Sequence, residues 1–169
     1  MSLTVTHAKV SGAGPAADSS KVGGDDWDAG HVITGLTPGV DFPTSATVTL
    51  SSAQILDLHN TPVTVVAAPG AGKIILMHRV FCQYTFGTAA YVNGDGAPRL
   101  TLDGGAVSLT LSGLIDQTND YRKSFPAPDF DTSSDPSNAA LMVDDGGAAH
   151  TTGDGTLTID VEYTIVDAA

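Results

Sequence analysis

The stretch Leu157-Thr158-Ile159-Asp160-Val161-Glu162-Tyr163-Thr164-Ile165 places an apolar side chain at every second position and a polar one between. Successive side chains of a β-strand point to opposite faces, so this pattern describes a strand with one face in a core and the other in water. A helix would need apolar spacings of three and four, which strict alternation does not supply. Toward the N-terminus, Arg99–Asp103 and Ala106–Leu111 flank Gly104-Gly105, a two-residue loop suited to a primed hairpin turn. Pairing across that loop sets Leu102 opposite Val107 and Leu100 opposite Leu109, with Thr101 facing Ser108. Both strands then turn their apolar residues to one face, so the register is self-consistent.

The same period recurs in the flanking sequence. Thr47-Val48-Thr49-Leu50 opens the series, and Ser51 to Leu56 predicts one helical turn capped by serine. Pro62–Ala67 reads as a strand, Pro69-Gly70-Ala71-Gly72 as a turn, Lys73–Phe86 as a long apolar strand and Asn138–Val143 as a short one. Residues 112–138 read as a long polar connection, because Pro126, Pro128 and Pro136 exclude regular structure. Asp144 to Gly155 reads as a second loop. No segment sustains a helical period, and no internal repeat is present. The expectation is an all-β protein, an antiparallel β-sandwich of roughly seven or eight strands in the jelly-roll manner.

Residues 1–45 have a different character. Gly12, Gly14, Pro15, Gly23, Gly24, Gly30, Gly35, Pro38, Gly39 and Pro43 interrupt them, and they cannot bury enough apolar area to fold alone. They are nonetheless dotted with apolar anchors, among them Leu3, Val5, Trp27, Ile33 and Phe42. That combination predicts an extended docking arm over 1–45, ahead of a sandwich domain over 46–169. Trp27, the single tryptophan, sits in a polar, glycine-rich segment, and a buried tryptophan ranks among the strongest interface anchors. Asp25 and Asp26 beside it are placed to meet basic groups on a partner. Trp27, Asp25 and Asp26, with His31 and Ile33 of the same segment, are the candidate assembly contacts.

Composition narrows the function. The chain has 169 residues, enough for one domain with a real core, and 41% of them are apolar. A single cysteine, Cys82, excludes an internal disulfide and reads as a small buried hydrophobe within Ile74–Phe86. The net charge is −12, and the lysines and arginines are scattered singly apart from Arg122-Lys123. Without a basic patch, binding to nucleic acid or to an anionic membrane surface is disfavoured. The N-terminal Met-Ser-Leu-Thr-Val-Thr-His has neither the basic nor the apolar region of a signal peptide, and no stretch approaches the length of a membrane span. Folding in a cytoplasm is the expectation.

Candidate chemistry reads mostly as structure. Ala67-Ala68-Pro69-Gly70-Ala71-Gly72-Lys73 echoes a phosphate-binding loop, but Ile74-Ile75-Leu76 follows Lys73 in place of a hydroxyl residue opening a helix. Asp129, Asp131, Asp135, Asp144 and Asp145 lack the alternating ligand positions of a calcium loop, with Ser133 and Ser134 between them. These, like Asp25-Asp26 with Asp28, read as solvated acidic loops. His7, His31, His59, His78 and His150 show no spacing that presents two metal ligands on one face. No serine occupies a Gly-x-Ser-x-Gly elbow, Ser112-Gly113 being the nearest approach. A glycosidase needs two carboxylates lining a groove, usually with aromatic platforms, and here aromatics make up 6%. Tyr91 and Tyr121 are the candidate platforms. No catalytic, metal-binding or cofactor residue is assigned, no cofactor is expected, and the chain reads as non-enzymatic.

The runs Leu50–Leu56 and Thr61–Lys73 resemble a segment recurring in small structural proteins of tailed bacteriophages, as does the run from Gly153-Asp154-Gly155 to Tyr163. The segment Gly24–Gly35 resembles short linking motifs of phage fibre and tail proteins. The resemblance implies a virion component of a tailed phage or of a phage-like gene transfer agent. That component would be a capsid decoration or head-spike protein, or part of a tail fibre. It further implies assembly in the bacterial host cytoplasm, other virion proteins as partners, a homo-oligomer that is usually a trimer, and no catalytic residues. Two other classes compete: a receptor- or glycan-binding fibre domain, and a polysaccharide-acting enzyme.

Overall fold

The computed structural model describes residues 4–7, 31–34, 42–92, 97–102, 107–127, 136–147 and 149–168. The chain divides into two compact units, Met1–Thr37 and Pro38–Ala169. In the first, β1 (Thr4–His7) pairs antiparallel with β2 (His31–Thr34), Val5 standing opposite Ile33. The segment read as an extended arm carries a two-stranded ribbon, built on the β-branched runs Thr4-Val5-Thr6 and Val32-Ile33-Thr34.

The second unit contains β3 (Thr44–Leu50), α1 (Ser52–Leu56), β4 (Val63–Val66), β5 (Lys73–Thr85), β6 (Pro98–Leu102), β7 (Val107–Thr110), β8 (Tyr121–Pro126), β9 (Leu141–Asp145) and β10 (Thr156–Asp167). The strands form two four-stranded antiparallel sheets, in the orders β3-β10-β5-β8 and β4-β9-β6-β7. Lettering the eight strands B to I along the chain turns these orders into B-I-D-G and C-H-E-F. That is the jelly roll, in which the chain changes sheet at almost every connection. Only the β6–β7 hairpin stays within one sheet, and it has the expected register: Leu102 pairs with Val107, Leu100 with Leu109 and Thr101 with Ser108. Its turn, Gly104-Gly105, lies outside the described residues.

The core sits between the sheets. Leu157, Ile159 and Val161 of β10 and Ile75, Met77, Val80, Cys82 and Tyr84 of β5 meet Leu100, Leu102, Leu141, Val143 and Val66 of the facing sheet. The inward phase of β5 steps by three between Met77 and Val80. A bulge explains the step: Met77 pairs with Tyr163 and Arg79 with Glu162, which leaves His78 as the extra residue. The helical turn forms as expected. Ser51 accepts from the Gln54 amide while the Gln54 side chain reaches back to the Ser51 amide, a complete capping box, and Ile55 is buried.

Two expectations fail: Asp144 and Asp145, read as part of a solvated loop, belong to β9 with Asp145 buried, and the chain before it holds a further strand. The polar connection proposed for 112–138 contains a strand, β8, paired with β5 from Tyr84 opposite Tyr121 to Arg79 opposite Pro126. Proline is tolerated there because β8 is an edge and Pro126 is its last residue, so no ladder donor is lost. The connection also supplies Leu114 and Ile115 to the core, next to Leu111 at the end of the preceding hairpin.

Replacing Ser51 by alanine removes the hydroxyl that accepts from the Gln54 amide while keeping the Ser51 amide bond to the Gln54 side chain, and is expected to lower stability by about 1 kcal/mol. A urea titration should show a lower midpoint with an unchanged slope; an unchanged midpoint would mean the serine hydroxyl contributes nothing.

Candidate functional site

Among the described residues of the second unit, two regions gather several chemically capable side chains. The first is the outer face of the β3-β10-β5-β8 sheet. Alternation sends Asp160 and Glu162 of β10 outward, level with Phe81 and Arg79 of β5. Phe81 is 40% exposed at the middle of this face, with Asp160 on one side and Ser124 on the other. Arg79 approaches Glu162 at 3.5 Å across the bulge, and both side chains are well exposed. Such a pair contributes about 0.2–1 kcal/mol at most, and leaves its hydrogen-bonding capacity open to a ligand. Together Arg79, Phe81, Asp160 and Glu162 line a shallow depression of about 250 Å³. Around it the face is polar, with Arg122 donating to Gln83 at 3.1 Å and Thr49 bonded to Thr158 at 3.0 Å.

The second region is the loop cluster at one end of the sandwich, where Asp154 ties two connections together. Its carboxylate accepts from the Thr88 amide at 2.7 Å, the Thr88 hydroxyl at 2.6 Å and the Ala89 amide at 2.9 Å. These donors hold the Asp154 carboxyl below the usual carboxylate range. Gly153 takes φ +113°, and a Cβ there would lie 2.4 Å from the Tyr91 ring. The Gly153-Asp154-Gly155 run thus serves one purpose: the aspartate staples the chain at Thr88 while Gly153 leaves room for a buried tyrosine. The Tyr91 hydroxyl donates to the Gly155 carbonyl at 2.7 Å, and its ring packs edge-on against Tyr84 and His150. Burial first, and neighbouring acidic groups second, push the Tyr91 hydroxyl far above its ordinary range.

Beneath this cluster lies a pair that spacing did not reveal. His150 Nε2 stands 3.1 Å from Asp145 Oδ2, and both side chains are fully buried. The angle is not that of a hydrogen bond, so the contact is an approach of ring nitrogen to carboxylate. The other Asp145 oxygen accepts from the Gly147 amide at 3.2 Å. The signal available in the sequence was phase: Leu141, Val143 and Asp145 share the inward face of β9. A carboxylate on that phase needs a buried partner. The pair is buried and not hydrogen-bonded, so it lacks the oriented histidine–aspartate bond of a hydrolytic triad.

The remaining candidates fall into place. Trp27, Asp25 and Asp26 lie outside the described residues, as do Asp28, Asp129, Asp131 and Asp135. His31 and Ile33 lie on β2, opposite His7 and Val5 in the register. Asp144 is held by Arg99 Nε at 2.6 Å and the Thr101 hydroxyl at 3.0 Å, on the face of β9 opposite Asp145. The run resembling a phosphate loop is a turn with Gly70 and Gly72 at positive φ, and Lys73 donates to Asp167 at 2.9 Å. Tyr91 is buried and offers no platform, whereas Tyr121 is 39% exposed on β8. Cys82 is a buried core residue whose thiol is pushed up to about 12, chiefly by burial, so it is no nucleophile. Among the described residues no three His, Cys, Asp or Glu side chains gather to hold a metal ion, and no helix is long and apolar enough to cross a membrane.

No protein-family model matches the chain, and no curated protein sequence matches it. A solved chain described as cyanophage Pam1 capsid asymmetric unit is similar in structure at a TM-score of 0.43 and 15% identity. The similarity covers 88% of this chain and 97% of that one.

The buried pair has a measurable consequence. Burial lowers the His150 pKa, while the Asp145 carboxylate and the Val92 backbone oppose the shift in part. A histidine whose folded pKa lies below its unfolded value binds fewer protons in the native state, so acid favours the unfolded chain. Stability is therefore expected to fall as pH drops below about 6.5. His150→Asn should flatten that part of the stability–pH curve in chemical denaturation, and a slope identical to the parent's would show that His150 does not carry it.

Proposed function

We propose that this chain is a non-enzymatic structural protein of a bacteriophage or phage-like particle, in the role of a capsid decoration or head-spike component. In this reading it assembles in the bacterial host cytoplasm, partners other virion proteins and further copies of itself, and docks through segment 1–45. The observation that carries the reading is the strand order, B-I-D-G facing C-H-E-F, an architecture that recurs in viral capsid domains. Fold alone does not assign function, so the side chains matter as well. Among the described residues, several groups with chemical potential are engaged structurally: Asp154 in a loop staple, His150 and Asp145 buried against each other, and Cys82 in the core. The resemblance of Leu50–Leu56, Thr61–Lys73 and Gly153–Tyr163 to phage structural proteins points the same way.

A second reading, a tail-fibre or receptor domain that binds a glycan, is favoured by one observation. Phe81 presents an exposed ring in the middle of a polar sheet face, beside Arg79, Asp160 and Glu162. An aromatic face can stack on a sugar ring while flanking charged groups take its hydroxyls.

The readings separate experimentally. For a virion component, deletion of 1–37, which stops short of the second unit, or Trp27→Ala leaves the sandwich folded by circular dichroism but removes the chain from particles banded on a density gradient. Particles that retain the truncated chain at parental stoichiometry would sink the docking role. For a glycan-binding domain, the parent binds host-surface polysaccharide, and Phe81→Ala weakens that binding by roughly tenfold or more.

A further inference from the structure

Each sheet of an open sandwich ends in strands whose outer N–H and C=O groups lack a ladder partner, and proteins protect such edges with charge, proline, bulges or brevity. Three of the four edges here follow that rule. The strand β8 carries Arg122, Lys123 and Pro126. The strand β4 is four residues long with a register irregularity between Thr64 and Val66, and β7 is also four residues long. The fourth edge does not follow it. The strand β3 runs for seven residues, Thr44-Ser45-Ala46-Thr47-Val48-Thr49-Leu50, with no charge and no proline, and among the described residues it pairs only with β10.

We propose that β3 is a self-association edge, pairing antiparallel with β3 of a second copy across a twofold axis centred on Thr47. Three observations select a second copy as the occupant. The first is parity. An antiparallel pairing centred on Thr47 sets Thr47 against Thr47 of the partner subunit, Ser45 against Thr49 of the partner subunit, and Ala46 against Val48 of the partner subunit. Outward residues therefore meet outward residues, and the two sheets join as one continuous sheet with a single polar face. The second is burial. Ser45, Thr47 and Thr49 are exposed, while Ala46 and Val48 pack against the core yet remain only half-buried, so their apolar surface is finished by the same residues of a neighbour. The outer residues can extend a threonine ladder that already exists between Thr49 and Thr158. The third is charge. At a net charge of −12, two copies repel over most of their surface, and β3 is a neutral strip where their backbones can approach. The inference rests on strand order and charge, and it stands or falls independently of the virion reading.

The test uses the full chain and exploits the symmetry, since any side chain at position 47 meets its own copy. Light scattering at tens of micromolar protein is expected to give an even multiple of 17.2 kDa. Thr47→Lys should halve that mass with little change in melting temperature, because the introduced ammonium lies beside Asp160 within the subunit but faces its own copy across the axis. Under mild oxidation Thr47→Cys should cross-link to itself. Ser45→Cys and Thr49→Cys should cross-link only when mixed, and Cys82, being buried, should not compete. These outcomes support both the edge and its register. A 17.2 kDa monomer, an odd-numbered oligomer, or an oligomer that Thr47→Lys leaves whole and Thr47→Cys does not cross-link would overturn the proposal.

Discussion

The strand β10 is hydrogen-bonded along both of its sides, to β3 from Leu157↔Leu50 to Tyr163↔Thr44 and to β5 from Thr156↔Thr85 to Asp167↔Lys73. Its inward residues Leu157, Ile159 and Val161 are completely buried, so its phase determines which face of the sheet is core and which is surface. A slip of one residue would drive Asp160 and Glu162 into the interior, where an unpaired carboxylate is heavily penalised. The neighbours inherit their orientation from that constraint. Even the bulge at His78 serves it, because it restores the inward phase of β5 after Met77 without disturbing β10.

The rest of the molecule divides its polar groups by task. At the loop end they are committed to one another: Asp154 to Thr88 and Ala89, Tyr91 to Gly155, and His150 to Asp145. On the outer face of the β10 sheet the charged groups are held loosely, the Arg79–Glu162 contact being 3.5 Å long and open to solvent. Rigidity and recognition capacity thus occupy different parts of the same sandwich. That arrangement suits a protein whose contacts are made on surfaces and edges rather than in a pocket.

Much of this was legible in the residues. The alternation of Leu157 to Ile165 and the Gly104-Gly105 hairpin specified strands and a register, because side-chain period and turn chemistry are local properties. The serine-capped turn at Ser51 was legible for the same reason. The strand β8 was hidden because its short apolar phase, Tyr121 and Phe125, is interrupted by Lys123, whose ammonium reaches out to the Ser112 carbonyl and lies over the Phe125 ring. A lysine at an edge can occupy the inward phase by snorkelling, which pattern reading counts as a break. The His150–Asp145 pair was hidden because its two residues meet through a loop turn, and no fixed spacing announces such a meeting. The role of Asp154 was hidden too, since its donors lie more than sixty positions away in the chain. Tertiary partners of this kind are set by topology and not by neighbouring sequence.

The pairing of β3 with β10 joins positions as far apart as Thr49 and Thr158, which are separated by 109 residues. A centre strand supplied last and an edge strand supplied first make the fold highly non-local, and such topologies form slowly because long loops must close before their contacts stabilise anything. During synthesis β3 emerges long before β10, its partner in the ladder, whereas β5 and β8 can pair with each other earlier. A chain interrupted before residue 156 could still form the β4-β9-β6-β7 sheet, but among the described residues β3 would have no strand to pair with. The β3-β10-β5-β8 sheet is therefore complete only once residues 156–167 have been made, and its outer face, with Asp160 and Glu162, is the last to take shape.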